Sequence, residues 1–487
     1  MNNNAVDSKV SHAPLHVKLW NVGPMHDAKL DVKNITMICG ANNVGKTYTT
    51  YAVYGFLKFF RSYEPDMLWG EDAIKVLLSG EELKVSALEC AKLVKRVLLE
   101  ASKEFSQSEV LGGVFGASDS FFRGAKFDLS IPEFSYETVC NTSRDKEGNR
   151  WVGSDTGIHW RITADAIYFS LTQSGRMESP LRVSRRIHLF HLRRALNRVF
   201  VDVILNPYIP RAHILCAERT GAVIFQKELD FNRNSLIEML KGGDSTTSPI
   251  YRFFQEYSSC YPLPIKANVN TARDVPEKTK SFLVDRKDKR SRVILDLFAE
   301  IIGGDYKMTR GRMKFIPKAN QDKRLDMVLS SSSIRALMHM AVYLYFQAKV
   351  GDILIIDEPE QNLHPENQRK IARLFALLSN LGVRIFITTH SDYIVREINN
   401  LVMMRGGRDD LQRRICSKYG YTPEEFIDAQ DVEVCWARVD EQKSKKSTKK
   451  WSVLESMKVL QSSGVDSKFF NDTIDEMNEI QTELEFA

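Results

Sequence analysis

Residues 37–57, with the sequence MICGANNVGKTYTTYAVYGFL, contain the pattern Gly-x-x-x-x-Gly-Lys-Thr. We predict a buried strand that ends at Gly40 and an apolar helix from Thr47 to Phe60, so the pattern joins a strand to a helix. In this context the N–H groups of the loop and of the helix N-terminus bind phosphate oxygens, while the lysine reaches the β and γ phosphates and the threonine reaches Mg²⁺. The predicted nucleotide-binding residues are Gly40, Asn43, Gly45, Lys46 and Thr47.

The residues on either side of this motif suggest how the chain is organised. Upstream, residues 15–32 alternate apolar and polar side chains around the turn Asn21-Val22-Gly23-Pro24, which predicts two antiparallel strands. Downstream, the character of the sequence changes between residues 62 and 208, which hold one helical patch and several short strand-like runs. We interpret residues 62–208 as an insertion with a small fold of its own.

A second polar cluster follows another buried strand. In ILIIDEPE, residues 353–360, four apolar residues lead into Asp357 and Glu358. The carboxyl ends of strands are where α/β sheets bind ligands. Asp357 suits the Mg²⁺ shell, and Glu358 suits a base that polarises the attacking water. Beside a phosphate loop, this interpretation is favoured over an ordinary strand end with a solvated acidic pair.

The next buried strand, RIFITTH, ends at His390. A lone histidine at a strand end is often structural. Because this strand follows the one that carries Asp357 and Glu358, however, we expect His390 to reach the γ-phosphate from the adjacent strand.

Four serines, Ser330 to Ser333, open the helix that precedes the strand of Asp357. Hydroxyl and N–H groups at a helix N-terminus can bind an anion. Since the glycine loop already holds the nucleotide of this chain, we expect these serines to cover the γ-phosphate of a nucleotide bound to another subunit. The alternative is a plain helix cap in a serine-rich loop.

Taken together, GANNVGKT, LSSSSIRAL, ILIIDEPEQNLHP and IFITTHSD resemble the ABC-type ATPase heads related to the SMC and overcoming-lysogenization-defect (OLD) proteins. In particular, they resemble the stand-alone ATPases of bacterial anti-phage systems such as Septu, PARIS and certain retrons. The resemblance covers roughly residues 15–60 and 210–400. It implies an α/β fold: an ATPase head with a P-loop sheet, flanking helices and an N-terminal antiparallel β-subdomain, carrying a large inserted, mostly helical domain. The expected boundaries are 1–61 and 209–400 for the two parts of the head, 62–208 for the inserted α+β domain and 401–487 for a C-terminal extension.

The resemblance also implies ATP and Mg²⁺ as cofactors, and a head-to-tail homodimer, or a higher oligomer of dimers, around two ATP molecules. In that comparison Glu358 and His390 match the catalytic residues, Thr47 and Asp357 the Mg²⁺ ligands, and Ser330, Ser331, Ser332 and Ser333 the signature loop that acts in trans. The usual Leu-Ser-Gly-Gly-Gln is absent here. The sequence therefore does not indicate which serine meets the phosphate or whether Arg335 helps, and Glu218 and Arg219 are only weak candidates for the nucleotide interface.

The resemblance implies an ATPase that senses or regulates within an anti-phage defence complex. We expect it to control a separate effector, a nuclease of HNH or Toprim type, in response to a phage protein or DNA. No nuclease site is expected in this chain, because too few residues follow His390 for a Toprim domain and no Asp-x-Asp occurs among them. An SMC-like ATPase that acts on DNA in repair or chromosome maintenance is the main alternative. A transporter ATPase is less favoured, because residues 48–329 separate the two motifs.

Composition favours a globular cytoplasmic protein without a membrane segment. The chain is 43% hydrophobic and 27% charged, and none of its apolar runs approaches the roughly 20 residues that span a bilayer. The seven cysteines include no C-x-x-C pair, so neither a zinc site nor a disulfide framework is indicated.

A basic segment, LRVSRRIHLFHLRRALNR, runs from Leu181 to Arg198 and contains no acid. As a helix it would place Arg182, Arg185, Arg186 and Arg193 on one side. Three interpretations stay open. The arginines contact nucleic-acid phosphates, or face an acidic partner, or lie in solvent while Leu189, Leu192 and Leu196 pack inward.

Overall fold

The computed structural model of the chain describes residues 13–66, 68–142, 146–152, 156–173, 189–225, 261–276, 279–285, 289–309, 311–443, 448–465 and 468–485. Its strands are β1 (Leu15–Val22), β2 (Met25–Val32), β3 (Ile35–Gly40), β4 (Leu83–Ser86), β5 (Lys126–Ser130), β6 (Glu147–Val152), β7 (Thr156–Ile162), β8 (Ala166–Gln173), β9 (Ala212–Leu215), β10 (Gly304–Thr309), β11 (Arg312–Pro317), β12 (Leu325–Asp326), β13 (Ile353–Asp357), β14 (Arg384–Thr389), β15 (Val432–Lys443), β16 (Thr448–Met457), β17 (Val459–Leu460) and β18 (Gly464–Val465).

The helices are α1 (Lys46–Ser62), α2 (Glu71–Leu78), α3 (Ala87–Phe105), α4 (Ser108–Phe115), α5 (Tyr136–Thr142), α6 (Leu189–Phe200), α7 (Arg219–Ile224), α8 (Leu263–Arg273), α9 (Phe282–Asp285), α10 (Lys289–Ile302), α11 (Ser332–Val342), α12 (Pro365–Asn380), α13 (Asp392–Arg405), α14 (Asp409–Tyr419) and α15 (Lys468–Glu485). Single π-helical segments, Val201–Leu205 and Tyr343–Gln347, follow α6 and α11.

A nine-stranded sheet organises the protein, with the strand order β5-β1-β2-β16-β15-β3-β14-β13-β9. Strands β3, β13 and β14 are buried along their whole length, as expected for parallel strands that are covered by helices on both faces. Strand β14 pairs in parallel with both β3 and β13, so one strand separates the strand of the glycine loop from the strand of Asp357. With the antiparallel pair β1–β2 on the other side, the predicted α/β fold of a P-loop sheet with an N-terminal antiparallel part is confirmed.

The described residues of the insertion share a hydrophobic cluster with the head. The insertion holds helices α2–α6 and a four-stranded sheet, β4-β8-β7-β6, but its strand β5 pairs with β1 and so extends the main sheet. Phe56 of α1 stacks at 4.8 Å on Phe127 of β5 and meets Phe105 of α3 edge-on at 5.3 Å. These aromatic side chains join the insertion and α1 in one hydrophobic cluster. The division of the chain into an inserted domain at 62–208 stays a prediction.

The basic segment is described only from residue 189, so Arg182, Arg185 and Arg186 lie outside the described residues. In α6, Arg194 forms an ion pair with Glu64, and Arg198 lies 3.2 Å from Asp202. These two arginines therefore have acidic partners within the chain.

The apolar side of α6 matches the prediction only in part. Leu192 and Leu196 are buried, as expected, but Leu189 at the start of the helix is 56% exposed. The inward packing of Leu189, which belonged to the third of the open interpretations of the basic segment, is therefore not observed.

The C-terminal region contributes the centre of the main sheet, which the sequence interpretation of residues 401–487 did not predict. Strand β15 pairs in parallel with β3 from Val432 to Ala437, and β15 and β16 form an antiparallel hairpin between β2 and β3. The lysine-rich block 441–450 contributes the last residues of β15, 441–443, and the first residues of β16, 448–450.

A substitution at Gly40 tests this close contact between β3 and β15. Its φ is +142°, and a Cβ there would lie well inside van der Waals distance of the Ala437 carbonyl oxygen. We expect Gly40→Ala to lower the free energy of unfolding by about 3 kcal/mol or more, because the side chain combines backbone strain with overpacking. Urea unfolding without nucleotide measures the effect.

Gly113 provides the control. It is exposed in α4, and a Cβ there would meet no atom within 4 Å. Gly113→Ala should change stability by no more than about 1 kcal/mol. Equal unfolding free energies for the two variants would contradict the described pairing.

Candidate nucleotide-binding site

The glycine loop leads directly from β3 into α1. Gly45 is the N-cap of α1 with φ +87°, and a Cβ there would lie 3.1 Å from the Met25 Cε, so the loop requires glycine at this position. Asn43 also has a positive φ, +63°, which asparagine tolerates. The loop thus forms the compact turn that phosphate binding needs.

Lys46 is 6% exposed and turns back into the loop. Its Nζ donates to the carbonyl oxygens of Gly40 at 3.0 Å and Ala41 at 2.6 Å. Burial lowers the pKa of Lys46, while the carboxylates of Glu358 and Asp357 oppose that shift. The ammonium therefore lies at the loop and within the electrostatic influence of both carboxylates.

Thr47 and Asp357 meet although 310 positions separate them. The Thr47 hydroxyl donates to Asp357 Oδ2 at 3.0 Å, and the Thr388 hydroxyl of β14 donates to Oδ1. Burial raises the pKa of Asp357, and these two hydroxyl groups partly offset that effect.

This pair of oxygen ligands fits Mg²⁺. The ion prefers hard oxygen donors and is commonly held by one or two protein groups together with substrate phosphates. Among the residues that the structure describes, no group of three or more His, Cys, Asp or Glu side chains is placed to hold a metal ion. A Thr47–Asp357 site would accordingly use phosphate oxygens as its remaining ligands.

Glu358 has an unusual backbone conformation. Its φ is +53°, whereas the other three non-glycine residues with positive φ in the described part of the chain are asparagines. Such conformations cost about 1–3 kcal/mol and occur preferentially at functional sites. The Glu358 N–H donates to Thr388, with both its carbonyl and its hydroxyl oxygen at 3.2 Å.

His390 lies beside Glu358, directly after β14, which pairs with β13. The distance from His390 Nε2 to Glu358 Oε1 is 3.5 Å, and hydrogen bonding from this imidazole holds the pKa of Glu358 below its ordinary value. Glu358 is therefore ionised at neutral pH and can accept a proton. The role of His390 at the γ-phosphate stays a prediction.

Glu360 is a third carboxylate at this edge, and the sequence interpretation assigned it no role. It accepts hydrogen bonds from the His390 backbone N–H at 2.6 Å and from the Thr389 hydroxyl at 3.0 Å. Burial raises its pKa, and the His390 N–H opposes that shift. Glu360 thereby fixes the end of β14 and the position of His390. In the sequence, the only indication that Glu360 belongs to the site was its position two residues after Glu358.

The serine loop lies at the N-terminus of α11. Ser331 caps the helix by accepting from the Ile334 N–H at 3.4 Å, and its hydroxyl is 2.9 Å from that of Ser333. Ser330 is buried and donates to the Asp326 carbonyl, whereas Ser332 is exposed. The cap predicted as the alternative interpretation is therefore present, and the exposed hydroxyl leaves room for a second role.

Arg335 and Leu329 complete this loop. The Arg335 guanidinium donates to the Ser330 carbonyl and so braces the loop from its own chain. Leu329 is 75% exposed. An exposed apolar side chain is thus next to the serines.

Arg219 faces the interior and not a surface where nucleotide could bind. It is 1% exposed, and its N–H groups donate to backbone carbonyls of neighbouring segments. Glu218 precedes it and accepts a hydrogen bond from the Tyr51 hydroxyl at 3.2 Å. Among these two weak candidates, only Glu218 remains accessible.

One comparison with known sequence families agrees with a P-loop ATPase. The sequence family described as "AAA domain, putative AbiEii toxin, Type IV TA system" matches residues 314–396, a stretch that contains the serine loop, Asp357, Glu358 and His390. The match does not reach Gly40–Thr47, so the phosphate loop is identified by its own sequence and geometry. No curated protein sequence matches the chain.

Three solved structures of Smc heads resemble this chain with low sequence identity and low TM-scores. One is the Smc head bound to the C-winged helix domain of ScpA, with 11% identity, a TM-score of 0.34, and 90% of this chain and 97% of that chain covered. The second, from Pyrococcus furiosus, is a head with an extended coiled coil bound to the C-terminal domain of ScpA, with 12% identity, a TM-score of 0.32, and coverage of 97% and 100%. The SMC head of Thermotoga maritima gives 10% identity, a TM-score of 0.28, and coverage of 79% and 91%.

In the described part of the chain, no helix combines the length and apolar character required to cross a bilayer.

Proposed function

We propose that this chain binds ATP with Mg²⁺ and hydrolyses it. The observation that supports the proposal is the meeting of Lys46, Thr47, Asp357, Glu358 and His390 at the carboxyl ends of β3, β13 and β14. A cation, a hydroxyl–carboxylate pair and an ionised base next to a histidine are the groups that phosphoryl transfer to water requires.

The proposed roles follow from the contacts. Lys46 leaves its loop carbonyls to bind the β and γ phosphates, and Glu358 orients the attacking water and accepts its proton. His390 holds the Glu358 carboxylate and donates toward the γ-phosphate. Thr47 and Asp357 would hold Mg²⁺, which would supply charge neutralisation at the phosphate oxygens.

We further propose that the active unit is a head-to-tail homodimer in which the serine loop of one copy covers the nucleotide of the other. The exposed Ser332 at the start of α11 and the exposed Leu329 support this arrangement, because they offer an anion site beside an apolar contact. The buried Ser330 and the braced Arg335 hold the loop in one shape before any partner arrives.

The biological role that we propose is regulation within an anti-phage defence complex. In this role the ATP-bound dimer controls a separate effector, a nuclease of HNH or Toprim type, and a phage protein or DNA provides the trigger. The proposal rests on the resemblance of the motifs to defence ATPases. The description of the matched family as a putative toxin of a Type IV TA system is compatible with such a two-component arrangement.

Two substitutions test the ATPase. Lys46→Ala should weaken ATP binding by at least about tenfold, because a charge-assisted phosphate contact is lost. Glu358→Gln should keep ATP binding while lowering turnover by about 10²- to 10⁴-fold, because the base is lost and the shape is kept. Isothermal titration and a phosphate-release assay measure both effects.

Two substitutions of exposed residues serve as controls. Lys58→Ala lies in α1, the helix that begins with Lys46, and Glu424→Gln replaces an exposed acid. Both should resemble the wild type. If Lys46→Ala and Glu358→Gln also hydrolyse ATP at the wild-type rate, the proposed activity does not reside at this site.

A mixing experiment tests the composite site. Ser332→Glu places a negative charge opposite the γ-phosphate, while an acid at the first position of α11 still suits the helix dipole. Ser332→Glu alone and Lys46→Ala alone should both be inactive. An equimolar mixture should regain ATPase activity, because one copy supplies an intact glycine loop and the other an intact serine loop.

The matched control is Ser108→Glu, at the first position of α4 in the insertion, which should leave the ATPase unchanged. If the mixture is as inactive as each variant alone, this result would argue against a serine loop that covers the nucleotide of the other copy.

Phage plaque counts test the defence role. Cells that carry the gene together with its chromosomal neighbour should be protected, whereas cells with either gene alone, or with the Lys46→Ala variant, should not. Protection by this gene without any neighbour would contradict control of a separate effector.

A further inference from the structure

Arg219 joins three segments by hydrogen bonds: the turn after β9, helix α11 and the end of β13. It is the first residue of α7, directly after β9 and its connecting turn. Its Nε donates to the Ala336 carbonyl of α11 at 3.0 Å, and Nη1 donates to the Cys216 carbonyl at 3.0 Å. Nη1 also donates to the Asp357 carbonyl at 2.8 Å, and Nη2 donates to the Glu358 carbonyl at 2.8 Å.

These contacts use a rigid side chain. The guanidinium is planar, and its N–H groups point in fixed directions, so the three segments cannot shift independently without breaking a hydrogen bond. A buried cation with broken hydrogen bonds is costly. Arg219 therefore connects the second turn of α11, the helix that follows the serine loop, to the end of β13.

The hydrogen bond from Arg219 to the Glu358 carbonyl is made at a residue whose backbone conformation is unfavourable. Glu358 is the one residue other than glycine and asparagine with a positive φ in the described part of the chain. Its N–H is held by Thr388 on one side, and its carbonyl oxygen is held by Arg219 on the other. The two together fix the direction in which the Glu358 side chain leaves the strand.

We propose that Arg219 is a positioning residue that couples the serine loop of a subunit to the carboxylates of the same subunit. This inference rests on the proposed ATPase dimer. In that dimer the serine loop touches the nucleotide of the partner, whereas Asp357 and Glu358 act on the nucleotide of their own chain. Arg219 consequently links the two nucleotide sites, since closure of the loop on one site aligns the catalytic carboxylate of the other.

Arg219→Lys and Arg219→Gln test the link. Lysine keeps the positive charge but not the planar set of donors. Glutamine keeps a planar donor but not the charge. If a buried lysine unfolds the protein, the glutamine variant can still be measured. We expect ATP binding to change little and kcat to fall by about tenfold to a hundredfold, because the carboxylate is misplaced while the glycine loop is intact. The dependence of rate on ATP concentration should change from sigmoidal in the wild type to hyperbolic in the variants.

Arg384 provides the matched control. It is also buried, at 2% exposure, but it lies at the start of β14 and donates to the Ala13 carbonyl at 3.1 Å, away from the carboxylates. Arg384→Lys should lower stability without changing the shape of the ATP curve. Equal losses of kcat in Arg219→Lys and Arg384→Lys, or a wild-type curve that is already hyperbolic, would overturn the coupling role.

Amide hydrogen exchange in the nucleotide-free protein tests the physical link apart from ATP hydrolysis. In the Arg219 variants, exchange should rise together in residues 330–337 and 357–362, and in Arg384→Lys it should not rise in these two segments. Unchanged exchange in both segments would refute the link. Increased exchange in a protein without ATPase activity would support the link and refute only the proposed function.

Discussion

The parallel pairing of β14 with β13 and β3 is the interaction on which the site depends. Its register places Asp357 opposite Thr388, and Thr389 opposite Cys39, so the three strands end at the same level. The hydroxyl of Thr388 can then reach the carboxylate of Asp357, and the chain leaves β3 at Gly40 beside it. A shift by one residue would turn every side chain of β14 to the opposite face, and the site would be lost.

Burial on both faces keeps this register in place. One hydrophobic cluster joins α1 and the insertion to one side of the sheet, and a second cluster joins the residues of α10 to α13 to the other. Strand β15, contributed from far along the chain, pairs with β3 up to Gly40 itself. The shape of the phosphate loop thus depends on residues that follow it by almost 400 positions, and the C-terminal region is part of the nucleotide-binding fold.

The local elements of the site were predictable from the sequence, and the long-range ones were not. Gly40 to Thr47, Asp357 and His390 stand next to apolar runs that identify buried strands and helices, so their places at strand ends followed. Strand β15 gave no such run, because Glu433 interrupts it and is buried beside Lys33, a pairing that no local pattern indicates. Arg219 follows a strand end as a single charge, and only the fold shows that its donors turn inward.

The charges at the site explain why nucleotide and metal ion should bind together. Asp357, Glu358 and Glu360 lie around a single loop lysine, and burial raises the pKa of Asp357 because its negative charge is poorly solvated. A triphosphate without a cation would add negative charge to this cluster and be repelled, since interactions between charges are strong in a partly buried site. A divalent cation bound by Thr47 and Asp357 would reverse that balance, because it would compensate the buried carboxylate and the phosphates at once. In the proposed ATPase, the carboxylates that oppose a free nucleotide would therefore favour its Mg²⁺ complex.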